Sequence, residues 1–316
     1  MGIYVEQPGI LTSVQDEGRF GYMQYGVSVA GPMDRRSFHL ANLLAGNDMG
    51  EAALEVTYMG PQLRFDEDNV IAVTGGDLQP AVNGTAIPTY KAVAVHAGDI
   101  LSFGFVTGNG CRAYIAFHGG LDVPVVMGSR STLMKNSIGG YEGRKLETGD
   151  SIGFRAPAAE LPNMAARALQ QPDWRGEQIT LRVIPGPQDD GFTDEEFRKF
   201  FWYGATITDK YDRMGCRLER EIPVKHIGDG NIISDGIMNG SIQVPPDGQP
   251  IIMLADSQSV GGYPKIGTVY SGDLPLLAQA TPGTKVQFVN ISIGTAQLLY
   301  KRELEELGKL DEFLNN

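Results

Sequence analysis

Glycine constrains this chain more than any other residue type, because 41 of its 316 residues are glycine and they are spread along the whole length. That share is about 13%, close to twice the usual one, and frequent glycines favour many short strands over long helices. Dipeptides typical of tight hairpin turns also separate apolar stretches. They are Asn83-Gly84, Asp229-Gly230, Asp235-Gly236, Asn239-Gly240 and Asp247-Gly248. The pattern predicts a mainly β protein with antiparallel strands.

A short turn-and-strand element occurs three times. Its copies are AGDILSF (97–103), TGDSIGF (148–154) and PGTKVQF (282–288), each with a glycine turn before alternating residues that end on phenylalanine. The pattern predicts three strands. Because the first and third copies each close a long β-rich stretch, they are compatible with two related barrel-like units.

The length of the chain and one segment rich in proline and alanine predict two domains. A single core rarely serves 316 residues, and a segment of this composition between two β-rich regions favours a domain connection. We therefore predict a first region over 1–155, a connector over 156–177 and a second region over 178–316. Strand exchange between the two regions is left open.

Helices are predicted to be few and short. Asp34 is placed to cap a helix that runs to Leu44. The run Thr-Asp-Glu-Glu at 193–196 has the pattern of a capping box and begins a second helix. Leu304 and Leu307 lie on the apolar face of a third helix near the C-terminus.

The charge balance argues against nucleic acid and membrane partners. Lysine and arginine number 26 against 38 aspartate and glutamate, a net charge of −12, which repels phosphate backbones and anionic lipid headgroups. No apolar run reaches the ~18 residues of a membrane-spanning helix. Residues 1–18 have neither the basic stretch nor the apolar core of a secretory signal, so we expect a cytoplasmic protein.

Standard motifs of catalysis and metal binding are missing from the sequence. It has no GxxxxGK[ST], no GxGxxG that opens a helix, no HExxH and no GxSxG. The two cysteines, Cys111 and Cys216, are far apart and the four histidines are unclustered, so we expect free thiols and no metal site. Any activity must then rest on carboxylates, amides, hydroxyls, basic side chains and backbone N–H groups.

Polar side chains that could do such chemistry are concentrated in five glycine-containing segments, at 11–37, 118–132, 210–220, 234–250 and 254–269. The candidate site residues are Gln15, Asp16, Arg19 and Asp34 in the first segment, Arg130 in the second, Arg213 in the third, Gln243 in the fourth, and Asp256, Gln258, Gly261, Gly262, Tyr263 and Lys265 in the fifth. Structural alternatives stay open for each segment, namely a capped turn for Arg130, a charged hairpin for Arg213 and a paired buried amide for Gln243.

Four of these segments resemble one protein family. They read TSVQDEGRFGYMQYGVSVAGPMD (12–34), GGLDVPVVMGSRST (119–132), DRMGCRL (212–218) and GSIQVPPDGQPIIMLADSQSVGGYPKIGTV (240–269). Together they resemble the allophanate hydrolase subunit 2 family, also called the 5-oxoprolinase C-subunit family, which includes Kip-type kinase regulators and carboxyltransferase-like members. The resemblance implies tandem cyclophilin-like β-barrels and covers nearly the whole chain.

The sequence departs from the family pattern in the fifth segment. Where the family reads close to DRQTTGGYP, this chain has DSQSVGGYP at 256–264. Ser257 replaces the arginine and Val260 replaces a threonine, whereas Ser259 keeps a hydroxyl. If that arginine contacts substrate or nucleotide, the departure implies altered specificity or reduced activity.

The resemblance implies one function and two alternatives. The first is the C subunit of an ATP-dependent 5-oxoprolinase, which opens 5-oxo-L-proline to L-glutamate with an A-subunit homologue and a Kip-inhibitor-like B-subunit homologue, the ATP being used at the level of the complex. The second is the carboxyltransferase half of a urea or other biotin-dependent carboxylase. The third is a Kip-type regulatory module that binds a partner without turnover.

Both enzymatic functions need donors at an amide-type oxyanion and a group that moves a proton. Arg130 and Lys265 are the predicted catalytic donors, with Asp34 or Asp256 as proton acceptor or orienter and Gln258 beside them. The predicted substrate-binding residues are Gln15, Asp16, Arg19, Arg213, Gln243, Gly261, Gly262 and Tyr263. Because Asp256 and Gln258 lie at a strand end beside a Gly-Gly pair, their replacement by alanine is predicted to cost activity with little loss of stability.

Overall fold

The chain folds into two compact units that exchange short segments. The structure is a computed structural model that describes residues 2–106, 110–174 and 176–315. The first unit comprises Met1–Phe20, Ala30–Arg175 and Glu306–Asn316, and the second comprises Gly21–Val29 and Gly176–Glu305. The described part of the segment predicted as a connector, 156–174, therefore belongs to the first unit. Within the described ranges, no helix is both long enough and apolar enough to cross a bilayer.

The first unit consists of two antiparallel sheets that share one core. Its strands are β1 (Gly2–Gln7), β2 (Leu11–Gln15), β3 (Ala53–Thr57), β4 (Gln62–Phe65), β5 (Asn69–Gly75), β6 (Ala81–Val82), β7 (Thr85–Ala86), β8 (Ala92–Val95), β9 (Ile100–Ser102), β10 (Arg112–Phe117) and β11 (Ser151–Gly153). One sheet has the order β11-β1-β4-β9-β6-β7 and the other β2-β3-β10-β5-β8. Buried side chains of both sheets, among them Ile3, Phe65, Val73 and Phe117, form the core.

The second unit is built around a closed barrel of seven strands. Its strands are β12 (Gln178–Pro185), β13 (Ala205–Tyr211), β14 (Gly215–Glu219), β15 (Asp235–Gly236), β16 (Ser241–Gln243), β17 (Ile251–Met253), β18 (Val260–Gly261), β19 (Lys265–Val269) and β20 (Lys285–Asn290). The barrel order is β12-β19-β16-β17-β14-β13-β20, and β20 pairs in parallel with β12. Outside the barrel, β15 pairs with β18. The prediction of a mainly β fold is confirmed.

Four α-helices accompany the strands in the described ranges, and one of them is longer than predicted. They are α1 (Arg35–Leu44), α2 (Asp194–Trp202), α3 (Leu274–Gln279) and α4 (Ile293–Asn315). Short 3-10 turns lie at Met23–Tyr25, Met134–Asn136, Met164–Ala166, Asp189–Gly191 and Ser271–Asp273. The 23 residues of α4 contradict the expectation of short helices only.

The C-terminal end of α4 is fixed in the first unit by buried contacts. Leu307 and Leu314 pack in an apolar cluster with residues of α1. The buried guanidinium of Arg167 donates hydrogen bonds of 3.0 Å to the carbonyl oxygens of both Leu43 and Leu314. These carbonyls lie at the ends of α1 and α4, so one arginine satisfies acceptors that a helix end leaves without a partner.

The prediction of tight turns from single dipeptides is confirmed at one position and wrong at another. Asn83 and Gly84 have φ values of 50° and 77° and join β6 to β7, as expected for a two-residue hairpin turn. Asp235 and Gly236, in contrast, form strand β15. A pairing with the distant strand β18 overrides the turn preference of this dipeptide.

The predicted helix caps are confirmed at both N-termini, although one is only half of a capping box. Asp34 caps α1, since its Oδ1 accepts a hydrogen bond of 2.9 Å from the backbone N–H of Ser37. The Oγ1 of Thr193 accepts from the N–H of Glu196 at 3.2 Å. The Glu196 carboxylate does not return to the cap, because it accepts a hydrogen bond from the N–H of Lys225 at 3.0 Å.

Removing the cap of α1 is expected to destabilise the first unit. We expect Asp34→Ala to lower the free energy of unfolding by about 1–2 kcal/mol, because an N–H of the first turn loses its acceptor. Asp34→Ser is the matched control, since a serine oxygen can cap the same position, and it should lose less than about 0.5 kcal/mol. Urea denaturation of both variants checks this. Equal stability of Asp34→Ala and the wild-type chain would contradict the role of Asp34 as a cap.

Candidate functional site

A buried lysine lies at the start of barrel strand β19. Lys265 pairs in register with Gln243 of β16, and its side chain is only 3% exposed. Its Nζ lies 2.8 Å from Oδ2 of Asp235. An ammonium group carries three N–H donors, and Asp235 is the single acceptor that the described residues provide for them. The other two N–H donors of this ammonium have no acceptor among the described residues.

Asp235 is held by a second side chain as well as by the lysine. The Nε2 of Gln188 donates to Asp235 Oδ2 at 3.0 Å, and Oε1 of the same glutamine accepts from the backbone N–H of Lys265 at 3.2 Å. The hydrogen bond from Lys265 is the largest of the effects that lower the pKa of Asp235 to about 2, followed by those from the N–H of Gly236 and from Gln188. The Asp235 carboxylate is therefore ionised at neutral pH, although its side chain is 52% exposed.

The first glycine of the Gly-Gly pair in the fifth segment packs against the ends of two neighbouring side chains. A Cβ atom on Gly261 would lie 2.6 Å from Nε2 of Gln243 and 2.6 Å from Cδ1 of Ile237, which is closer than side chains tolerate. The buried Gln243 amide in turn donates to the carbonyl oxygen of Tyr263 at 3.5 Å. Tyr263, which follows Gly262, keeps a partly exposed ring. The absence of a side chain at 261 thus leaves room for the ends of Gln243 and Ile237 in their present positions.

A buried ion pair precedes this region of the chain. Arg213 and Asp256 form a bidentate ion pair, in which Nε of Arg213 donates to Oδ2 of Asp256 and Nη2 donates to Oδ1, both at 2.9 Å. Both side chains are almost fully buried. The backbone N–H of Asp256 also donates to the carbonyl oxygen of Arg213 at 2.9 Å. The pair therefore fixes the start of the segment that runs to Tyr263.

The N-terminal motif contacts the same segment through the hydroxyl of Ser28. Ser28 lies in the part of that motif that belongs to the second unit, and its hydroxyl donates to the carbonyl oxygen of Ser257 at 2.6 Å. Ser257 is one of the positions that depart from the family pattern. Gln258, the next residue, is half-buried, and its amide has no hydrogen-bond partner among the described residues.

The candidates in the first unit form a separate, internally bonded network. The Asp16 carboxylate accepts hydrogen bonds from the N–H groups of Gly18 and Arg130 and from the hydroxyls of Ser129 and Ser131. These contacts hold the turn at 128–132 against the chain after β2. The carboxylate oxygens of Asp16 are thereby engaged within the protein.

Basic and amide groups of this network also contact the backbone. Arg19 is fully buried and donates to the carbonyl oxygens of Val126 and Ser131 at 3.0 and 2.9 Å. The partly exposed Arg130 donates from Nε to the carbonyl oxygen of Val123 at 3.2 Å. The buried Gln15 amide donates to the carbonyl oxygen of Thr132 at 3.2 Å and accepts from the N–H of Gly31. These three side chains therefore hold the backbone of the network in place.

Asp34 lies in a third set of contacts in the same unit, beneath α1. Its Oδ2 accepts from the Ser37 hydroxyl at 2.6 Å, and its N–H donates to the Tyr114 hydroxyl at 2.7 Å. Tyr114 donates to the buried Glu55, and burial raises the pKa of Tyr114 well above its usual value. The contacts of Asp34 are those of a helix cap, and its predicted catalytic role stays a prediction, as do the roles of the other candidates.

The structure thus distributes the predicted residues between the two units. Gln15, Asp16, Arg19, Asp34 and Arg130 lie in the first unit, and Arg213, Gln243, Asp256, Gln258, Gly261, Gly262, Tyr263 and Lys265 lie in the second. Sequence reasoning missed Asp235, Gln188 and Ser28. Asp235 was interpreted as a turn residue, and no motif marks Gln188. Within the described ranges, histidine, cysteine, aspartate and glutamate side chains form no group of three that could hold a metal ion.

The family model that describes the carboxyltransferase domain, subdomains A and B, matches residues 25–290. The chain belongs to this carboxyltransferase family. The match covers strands β3 to β20 and both sets of candidate residues except Gln15, Asp16 and Arg19. The resemblance stated from the sequence motifs is confirmed by this family assignment and by the relatives below.

Proteins that are similar to this chain differ in length. The chain is 37% identical over 289 residues to the C subunit of Escherichia coli 5-oxoprolinase, with 91% of each chain covered. The crystal structure of Kluyveromyces lactis urea amidolyase matches 98% of this chain at 33% identity and a TM-score of 0.89, but only 20% of its own length is covered. TTHA0988 matches at 35% identity and a TM-score of 0.81, with 91% of this chain and 55% of that one covered.

Proposed function

We propose that the chain is the C subunit of an ATP-dependent 5-oxoprolinase, which opens 5-oxo-L-proline to L-glutamate together with separate A and B subunits. The observation that carries this proposal is the match in extent with the Escherichia coli relative of that name, since 91% of both chains is covered. The urea amidolyase match, by contrast, covers one fifth of a much longer chain.

The chemistry of a lactam fits the donors in the second unit. A lactam resists hydrolysis because the nitrogen lone pair is delocalised into the carbonyl group, so ATP phosphorylates the amide oxygen to make a leaving group. Transfer of the lactam N–H proton to a general base puts negative charge on that oxygen as it attacks the phosphate, and preorganised N–H donors stabilise such charge. We assign this role to Lys265, whose buried ammonium has two N–H donors without an acceptor among the described residues. The Gln258 amide is the second group assigned to the substrate.

The nucleotide is assigned to the complex and not to this chain. The sequence carries no glycine-rich phosphate-binding motif. The net charge of −12 also disfavours a triphosphate on most of the surface. We therefore propose that a B-subunit homologue joins this chain and that an A-subunit homologue completes the ATP-dependent step.

A second candidate function is the carboxyltransferase half of a urea carboxylase. The specific observation in its favour is the TM-score of 0.89 to urea amidolyase over 98% of this chain. Carboxyl transfer from biotin builds negative charge on a ureido oxygen, which accepts the same type of hydrogen bond as a lactam oxygen. The Lys265 donors suit either substrate, so the partner chains decide between the two functions.

Reconstitution of the complex tests the proposal. We expect the purified chain alone to release neither glutamate nor ADP from 5-oxoproline and ATP, and the mixture with its A- and B-subunit homologues to release both. Mixtures that omit one of the three chains are the controls. Glutamate released by the chain alone would contradict the proposal. An inert full mixture that carboxylates urea with a biotin carboxylase would favour the second function, and an inert mixture in both assays would favour a regulatory module.

A further inference from the structure

Three residues from distant parts of the second unit form a closed ring of contacts. Lys265 Nζ contacts Asp235, the Gln188 side chain contacts Asp235, and the Lys265 N–H contacts Gln188. Gln188 thus holds both the backbone of the lysine and the carboxylate that binds its ammonium. All three residues belong to the second unit, so the ring forms within one folded body.

The ring is poorly explained as a device for stability. A buried ammonium loses its hydration, and an ion pair repays that cost only when its geometry is excellent and its remaining donors are satisfied. Here the partner carboxylate is 52% exposed, and pairs with solvent-exposed charges contribute little. Two donors of Lys265 also lack acceptors within the described protein. This arrangement is therefore less stabilising than a buried lysine with all of its donors paired would be.

The ring does restrict the position of the ammonium group. A lysine side chain has four rotatable bonds, and its end is mobile unless something holds it. Asp235 is itself fixed, because its strand β15 pairs with β18 at Gly261 and because Gln188 binds the same oxygen that binds Lys265. The ammonium is therefore anchored beside the Gly-Gly pair, with its two other donors directed away from Asp235.

We propose that Asp235 and Gln188 are positioning residues, which hold the Lys265 ammonium so that its two remaining donors meet the substrate oxygen. This inference rests on the proposed function, because it assumes that Lys265 binds the reacting carbonyl group. Neither residue contacts the substrate in this proposal. Both act through Lys265, so their loss should lower turnover more than substrate binding.

Kinetics of the reconstituted complex give the first test. We expect Asp235→Asn to lower kcat by ~100-fold and Gln188→Met by ~10-fold, with KM within twofold, because small displacements of a catalytic group cost rates of this size. Asp235→Glu should recover at least ~10-fold over Asp235→Asn. The matched control is Asp229→Asn in the loop before β15, where the Asp229 carboxylate accepts from the N–H of Asn231. A kcat of Asp235→Asn within threefold of wild type, or an equal loss in Asp229→Asn, would overturn the proposal.

The second test does not depend on activity. In the isolated chain labelled with ¹⁵N at lysine Nζ, the Lys265 resonance is identified by its absence in Lys265→Met. We expect Asp235→Asn and Gln188→Met, but not Asp229→Asn, to shift this resonance and to speed exchange of its protons with water. An unchanged resonance would overturn the positioning role even in an active complex. If the wild-type complex is inactive but the resonance shifts as expected, the proposed function fails and the ring stands.

Discussion

Replacement of Asp256 by alanine is expected to lower the free energy of unfolding by about 3–5 kcal/mol, because it leaves the buried Arg213 without its carboxylate. The sequence alone predicted little loss of stability here, since a strand end beside two glycines is usually exposed. The burial of both partners reverses that expectation. For a unit of this size the loss corresponds to a fall in Tm of roughly 10 °C.

A double replacement provides the control for this loss. If the penalty comes from a buried charge that has lost its carboxylate, Asp256→Leu combined with Arg213→Leu should be more stable than Asp256→Ala alone, because apolar side chains can replace a buried ion pair without a large penalty. Chemical denaturation of the wild-type chain and the two variants gives the comparison. A loss below about 1 kcal/mol in Asp256→Ala would show that the pair contributes no more than an exposed ion pair does.

Replacement of Lys265 by methionine is expected to reduce kcat of the assembled complex by at least ~100-fold, since loss of one preorganised donor to an oxyanion has an effect of this size. Methionine keeps an unbranched apolar side chain in the buried position. Asp235 stays half-exposed to water, so it loses a partner without becoming a buried unpaired charge. We therefore expect Tm to change by no more than about 2 °C.

A second lysine of the same barrel serves as the control for this variant. Lys285 begins β20 and is exposed, and Lys285→Met should keep full activity. Steady-state kinetics and thermal unfolding on both variants separate a chemical effect from a structural one. Turnover of Lys265→Met within tenfold of wild type, or a loss of activity that follows the loss of folded protein, would remove Lys265 from the site.

Local sequence signals were sufficient for much of the fold. Asn83-Gly84 predicts a tight turn because glycine and asparagine adopt positive φ at low cost, and the hairpin lies there. Asp34 predicts a helix start because its carboxylate can bond to the first free N–H groups. The glycine turns at 98, 149 and 283 each lead to a strand. In all these cases the deciding contact lies within a few residues.

The candidate site depends on contacts between residues far apart in sequence. Lys265 meets Asp235 across 30 positions, Gln188 meets Lys265 across 77, and Ser28 meets Ser257 across 229. Sequence reasoning named Lys265 because it follows a glycine-rich segment. It could not name its partners, because turn preferences and helix periods describe neighbours only. The Asp256 pair with Arg213 escaped prediction for the same reason.

The replacement of the family arginine by Ser257 does not affect the hydrogen bond from Ser28 to this position. Ser28 binds the backbone carbonyl oxygen of Ser257 and not its side chain. The backbone carbonyl oxygen of an arginine at 257 could accept the same hydrogen bond. The replacement therefore changes which groups the side chain at 257 can contact. It leaves the hydrogen bond between Ser28 and the backbone of the segment unchanged.

The assignment of residues 21–29 to the second unit and of 306–316 to the first sets an order for folding during synthesis. The first unit lacks 306–316 until the second unit has been synthesised. At ribosomal speeds of about 5–20 residues per second, the roughly 130 residues after Arg175 take about 7–26 s to make. During that interval Arg167 lacks the Leu314 carbonyl and α1 lacks the side chains of Leu307 and Leu314. Residues 21–29 likewise wait for the rest of the second unit, so the first unit is completed only after the whole second unit has been made.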